Sequence, residues 1–148
     1  MTRNQRLRLA RAAKIVVGNA YAPFSKLKVG AAVLDERGRI HTGCNVENSS
    51  YGLTTCAERV AIFKAVSEGA RHIKAVAVFA STREPTVPCG ACLQVVCEFG
   101  VDAEVILTNG KQTRYYRLPD LLPHKFRLRP RQKGRPARRV RAAAPSRQ

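Results

Sequence analysis

With 148 residues, 45% of them hydrophobic and 6% aromatic, the chain can build one domain around a real core and is too short for two. No apolar run approaches the roughly 18 residues of a membrane-spanning helix, and no signal-peptide core is present, so neither a membrane protein nor a secreted one is expected. The net charge of +17 is uneven: residues 127–148 hold nine Lys/Arg and no acid, which leaves 27 − 9 = 18 basic against 10 acidic residues, or +8, for the rest.

Along "RNQRLRLARAAKIVVGNA" (3–20), charges alternate with Leu7, Leu9, Ala13, Val16 and Val17, which predicts an amphipathic helix ending near Gly18. An arginine-rich, acid-free start is also a feature of mitochondrial transit peptides, but those are rich in serine and this stretch has none. It reads better as a first helix docked on the core. "YAPFSK" is a loop, and "KLKVGAAVL" and "RIHTGCNV" read as two strands joined across "DERG" in a hairpin. After the polar loop "ENSSYGLT", residues 55–68 form a second helix with Ala61, Ile62, Ala65 and Val66 on one side. "IKAVAVFA" (73–80) is a strand apolar enough to be covered on both faces. A third helix over 88–98, a buried strand "AEVILTN" and a last strand in "TRYYRL" complete the pattern. Three helices on a mixed five-stranded sheet predict an α/β fold, a three-layer sandwich with helices on both faces. Residues 127–148, with prolines and a glycine among their arginines, cannot bury a core and are expected to be disordered.

The chemistry concentrates at two helix starts. "TTCAERV" carries Cys56 and Glu58, and "VPCGACL" carries Cys89 and Cys92, a spacing that lets two sulfurs of one helical turn chelate one ion. Five cysteines, an odd number that includes a C-x-x-C pair, argue against a disulfide framework and for metal use in a reducing compartment, hence the cytoplasm. Cys44 lies in a strand and Cys97 at the far end of its helix, so neither is placed as a fourth ligand; three ligands with an open position suit a catalytic zinc site more than a structural one. Zinc and three thiolates sum to −1. The positive ends of two helix dipoles, about +0.5 each, and Arg59 beside Glu58 would offset that charge. Glu58, one residue into the helix, can serve as the base that takes a proton from water. The bland alternative makes Thr55-x-x-Glu58 a capping box, which would require no cysteines.

A cysteine-x-glutamate followed by Pro-Cys-x-x-Cys is the signature of zinc deaminases, in which the glutamate moves protons and is not a ligand. From about residue 10 to 126 the chain resembles the small cytidine deaminases of free nucleosides, through "NAYAPFSKLKVGAAV", "TGCNVENSSYGLTTCAER", "PCGACLQV" and "LLPHKF". The resemblance implies one Zn2+ per subunit and hydrolytic deamination of cytidine, with 2′-deoxycytidine, in pyrimidine salvage. It gives Asn45 and Glu47 the ribose 3′-hydroxyl, Phe24 the pyrimidine face and the Ala57 amide the base O2. It also implies a homotetramer with shared active sites, Tyr51, Phe126 and, to a lesser degree, Ser49 being contributed across interfaces. Leu93 stands where relatives often have arginine, which leaves more of the charge compensation to Arg59. The domain division expected is a catalytic unit over 1–126 and a basic tail over 127–148. Two further substrates are conceivable within the same chemistry: cytosine in RNA or single-stranded DNA, and a nucleoside antibiotic such as blasticidin S. Glu47 argues against the polymer, since a carboxylate gripping a 3′-hydroxyl would repel a 3′-phosphate. The tail could tether the enzyme to nucleic acid, although its lack of aromatic residues favours a plain solvated segment.

Overall fold

A computed structural model describes residues 1–128; the expected tail therefore lies almost wholly outside the described residues. Its sheet has five strands, β1 (Val29–Asp35), β2 (Ile40–Cys44), β3 (Ile73–Ala80), β4 (Glu104–Thr108) and β5 (Thr113–Arg117), in the order β2-β1-β3-β4-β5. β3 and β4 run parallel, and every other neighbouring pair is antiparallel. Side chains alternate across a strand, and the sequence follows that period. Ala31, Val33, Val76, Val78, Val105 and Leu107 point to one face, and Ala32, Leu34, Ala75, Ala77 and Ile106 to the other. α1 (Arg3–Val16) covers the second face with Leu9 and Ala13; α2 (Ala57–Ser67) and α3 (Gly90–Phe99) cover the first with Ala61, Ile62, Leu93 and Val96. The three-layer mixed α/β sandwich expected from the pattern is the observed fold.

The differences lie at element ends. α1 begins with Thr2 and Gln5 in a reciprocal capping box and closes through a 3-10 turn at Val17–Asn19. The first strand starts at Val29 and not at Lys26, because Lys26 adopts φ 61, a left-handed turn conformation incompatible with a strand. A fourth helix, α4 (Leu118–Leu121), takes over where the last strand was expected to continue: Pro119 can open a helix but cannot donate to a sheet ladder, and Asp120 accepts from the Arg117 amide at 2.8 Å. The polar loop after β2 contains a 3-10 turn, Tyr51–Leu53. β2 lies so close to α2 that only Gly43 fits there, an added Cβ meeting the Ala61 amide nitrogen at 2.4 Å.

Candidate active site

α2 and α3 start side by side on one face of the sheet, and each is opened by a cysteine. Cys56 is the N-cap of α2 and Cys89 that of α3, both in extended backbone, and Cys92 follows one turn into α3. The three Sγ atoms lie within 4.8 Å of one another. Four-coordinate zinc at its usual Zn–S distance needs sulfurs about 3.8 Å apart, so this donor set fits such an ion with little movement. Cys44 and Cys97 are not part of the cluster. Cys97 is buried in the core under α3, and Cys44 ends β2.

The thiols share their protons unequally. Cys56 is drawn down to about 5, first by a hydrogen bond from Cys92 and then, against the opposing cost of burial, by the Arg59 guanidinium. Cys92 is pushed up, because it donates that bond and because it is buried beside Glu58. Cys56 is thus the sulfur most favoured as a thiolate, and metal binding releases the protons that ligand thiols carry. Arg59 Nη2 donates to the Thr54 carbonyl at 2.9 Å and approaches Cys56 Sγ at 3.8 Å, while its buried Nε has no partner among the described residues. The Arg59 guanidinium thus stands against the Cys56 sulfur.

Glu58 is buried at the second position of α2, 4% exposed, and forms no capping box: α2 has no side-chain cap, and the Thr55 hydroxyl donates instead to the Leu53 carbonyl at 3.3 Å. Burial raises the Glu58 carboxyl above its ordinary range, and the Cys56 charge adds to the rise. A buried carboxylate beside three convergent sulfurs is placed to take up and return a proton. The amide of Ala57, first in its helix, has no acceptor within that helix and is free to meet a ligand.

Two cavities meet here. One of about 270 Å³ reaches the cysteines and Glu58 past Val29, Asn45, Val78 and Val87. A second, of about 410 Å³, opens outward between Phe24, Tyr51 and Thr54. Ser25, Glu47 and Thr54 line both and form the neck between them. Phe24 and Tyr51 stand edge to face, 6.2 Å between ring centres, at the outer mouth. Of the residues expected in the site, Cys56, Ala57, Glu58, Cys89, Asn45, Glu47, Phe24 and Tyr51 line these cavities, Cys92 lies with the other two sulfurs, and Arg59 backs Cys56. Ser49 and Phe126 do not line them; Phe126 is 67% exposed beyond α3, its carbonyl accepting from Gln94 Nε2 at 2.9 Å. Ser25, Thr54 and Thr86 were missed by sequence reasoning, which offers no motif for a lone hydroxyl in a loop. His41 is buried between the Asp35 and Glu68 carboxylates, at 3.1 and 3.0 Å, and cross-links the far end of β2 to α2, away from the cysteines. His72 and His124 are exposed.

Comparison with known proteins gives the arrangement a family. Residues 3–108 match the family model described as the cytidine and deoxycytidylate deaminase zinc-binding region. A cytidine deaminase of Sporosarcina psychrophila is 58% identical over 93 residues, 62% of this chain and 68% of that protein. The crystal structure of cytidine deaminase from Burkholderia pseudomallei superposes with a TM-score of 0.79 at 47% identity, covering 85% of this chain and 100% of the other. That of the Mycobacterium tuberculosis enzyme gives 0.71 at 40% identity, covering 82% and 97%. The chain belongs to the cytidine and deoxycytidylate deaminase family.

Proposed function

We propose that the protein is a zinc-dependent cytidine deaminase of free nucleosides, converting cytidine and 2′-deoxycytidine with water to uridine or deoxyuridine and ammonia. The observation that carries this reading is a buried carboxylate, Glu58, beside three convergent sulfurs at the floor of a cavity that opens through a polar neck to an aromatic mouth. Cys56, Cys89 and Cys92 would hold the ion, which when bound supplies a Lewis acid able to bring water within reach of deprotonation at neutral pH. Glu58 accepts a proton from the water that adds to C4, delivers it to ring N3, and passes a second to the amino group that departs as ammonia. Ala57 offers its amide to the base O2, Phe24 packs against the pyrimidine, and Asn45 and Glu47 take the ribose 3′-hydroxyl. Arg59 keeps the sulfur cluster from accumulating negative charge.

The cavities also bear on substrate class. No lysine or arginine lines either one among the described residues, although the chain holds 27, and Glu47 stands at the neck. An uncharged nucleoside fits that lining, whereas a nucleotide or a polymer phosphate would meet the Glu47 carboxylate at the neck. We assign the catalytic unit to residues 1–126 and treat 127–148 as an accessory basic segment. A homotetramer is supported by exposed apolar residues, Tyr51 and Leu53 in the loop at the mouth of the site and Phe126 beyond α3, which a neighbouring copy would cover. No helix among the described residues is long and apolar enough to cross a membrane. An oxidation-sensitive three-thiol site suits the cytoplasm and a salvage role.

Glu58→Ala tests the assignment. It is expected to keep the fold and one zinc per chain while losing cytidine turnover by a factor of about 10⁴ or more. Turnover retained in the zinc-loaded variant would refute the role of Glu58, and an unmodified, zinc-loaded protein that deaminates an oligonucleotide but not cytidine would refute the substrate.

A further inference from the structure

Ser25 does more than line the cavity. Its hydroxyl donates to Glu47 Oε1 and accepts from the Leu27 amide at 3.0 Å, so it joins the carboxylate to the turn over residues 24–27. Glu47 Oε2 accepts from the Phe24 and Ser25 amides at 2.9 and 3.2 Å. A carboxylate offers about four lone-pair sites. Three are filled from the turn, which leaves one, on Oε1, next to the bond from Ser25. Asn45 is similarly engaged, accepting from the Val29 amide and donating to the Leu27 carbonyl, both at 2.8 Å, which leaves one N–H. The pair therefore shows the neck one remaining N–H, on Asn45, beside the free lone pair of Glu47 Oε1 and a second lone pair of Asn45 Oδ1; the N–H and the Glu47 lone pair together match a single hydroxyl that donates to Glu47 and accepts from Asn45. The turn that creates this match carries Lys26 at φ 61, a conformation that a lysine adopts at a cost and that the bonds to Glu47 and Asn45 hold in place.

We propose that Ser25 is a positioning residue for sugar recognition: it occupies one site of Glu47 Oε1 and draws the turn onto the carboxylate, so that the remaining lone pair is aimed at one sugar hydroxyl. Resting on the nucleoside reading above, that hydroxyl is the 3′ one. With the Glu47 lone pair and the Asn45 N–H both engaged there, the pair has no donor left for a 2′-hydroxyl, so ribose and 2′-deoxyribose are accepted alike and loss of the 3′-hydroxyl is penalised.

The test compares Ser25→Ala and Ser25→Thr with the unmodified zinc enzyme on cytidine, 2′-deoxycytidine and 3′-deoxycytidine, the last as substrate and as competitive inhibitor. Ser25→Ala is expected to raise KM for the first two roughly tenfold, the scale of a hydrogen bond to a charged group. Its kcat should stay within about twofold, and its affinity for 3′-deoxycytidine should not change, because that ligand never uses the aimed lone pair. Ser25→Thr keeps the hydroxyl at an exposed position and restores the KM. Equal losses on all three nucleosides would show a merely structural Ser25 and overturn the proposal, as would an unchanged KM for cytidine. An unmodified enzyme inactive on every nucleoside would instead overturn the nucleoside reading, and this inference with it.

Discussion

Replacing Gly43 by alanine should disturb the site from behind, through the backbone of α2 and without altering any side chain in it. A Cβ on Gly43 would lie 2.4 Å from the Ala61 nitrogen, 2.7 Å from the Ala57 oxygen and 2.9 Å from the Val60 carbonyl carbon. All three are backbone atoms of α2, so no side chain can swing aside. Ordinary contact begins at 3.4 Å, and the helix must therefore retreat by 3.4 − 2.4 = 1.0 Å. Overpacking on this scale costs about 1–3 kcal/mol. The larger consequence is geometric, since Cys56 and Glu58 travel with α2 while Cys89 and Cys92 stay with α3. A displacement of about 1 Å at reacting groups can lower turnover about 100-fold.

Gly30→Ala is the control. Its Cβ would meet the Ala13 oxygen at 2.1 Å, on α1 and hence on the opposite face of the sheet. Both variants are expected to melt at lower temperature. Only Gly43→Ala should lose turnover about 100-fold per folded molecule and surrender zinc at a lower chelator concentration, whereas Gly30→Ala keeps kcat within about threefold. Thermal melts, zinc content after dialysis and initial rates on cytidine measure the three quantities. Normal kcat and zinc retention in Gly43→Ala, or equal losses in the two variants, would refute the claim that the β2–α2 contact sets the spacing of the sulfurs and Glu58.

Two other outcomes follow from the described contacts. Asp35 is fully buried; burial alone would raise its carboxyl, but His41, the Arg39 amide and guanidinium and the Arg37 amide hold it well below its usual 3.8. A folded pKa below the unfolded one stabilises fully above about pH 4 and less as pH falls further. Asp35→Asn should therefore lose about 2 kcal/mol or more at pH 7 and show a flatter decline of its urea midpoint on acidification below that pH; an unchanged decline would count against the network. A chain ending at Leu128 should turn over cytidine at the full-length rate, because every residue assigned to the site lies between Phe24 and Phe126; collapse of activity would make the basic segment part of the enzyme.

The layers were legible because both sheet faces and each covering helix need apolar positions at fixed periods, and Ala31–Leu34, Ala75–Phe79 and the α2 stripe supply them. The metal-binding cluster was legible for a different reason: thiols and a carboxylate at helix starts have few other uses. Turn chemistry was less so. The left-handed Lys26 has no glycine to announce it, and the side chains that secure that turn, Asn45 and Glu47, come from a segment about twenty residues on. The burial of His41 could not be read locally either, since its two partners, Asp35 and Glu68, belong to different elements that the fold brings together.

The two helix starts show why the active site could be found at all. A helix ordinarily begins with Ser, Thr, Asp or Asn, whose side chain satisfies one of the free amides and stabilises by about 1 kcal/mol. α1 follows this rule with Thr2, but α2 and α3 begin with Cys56 and Cys89 and have no side-chain cap. At α2 a better cap lies one residue away, and Thr55 bonds elsewhere. Both helices thus forgo local stabilisation at the same place in space, where amides left free and the positive ends of two dipoles converge on three sulfurs. A conflict between local preference and observed structure that recurs at adjoining termini marks a site shaped by chemistry, since packing alone would favour the capped alternative at each. An ion held by the sulfurs would restore what the caps withhold, and would tie the folding of these two termini to readiness for catalysis.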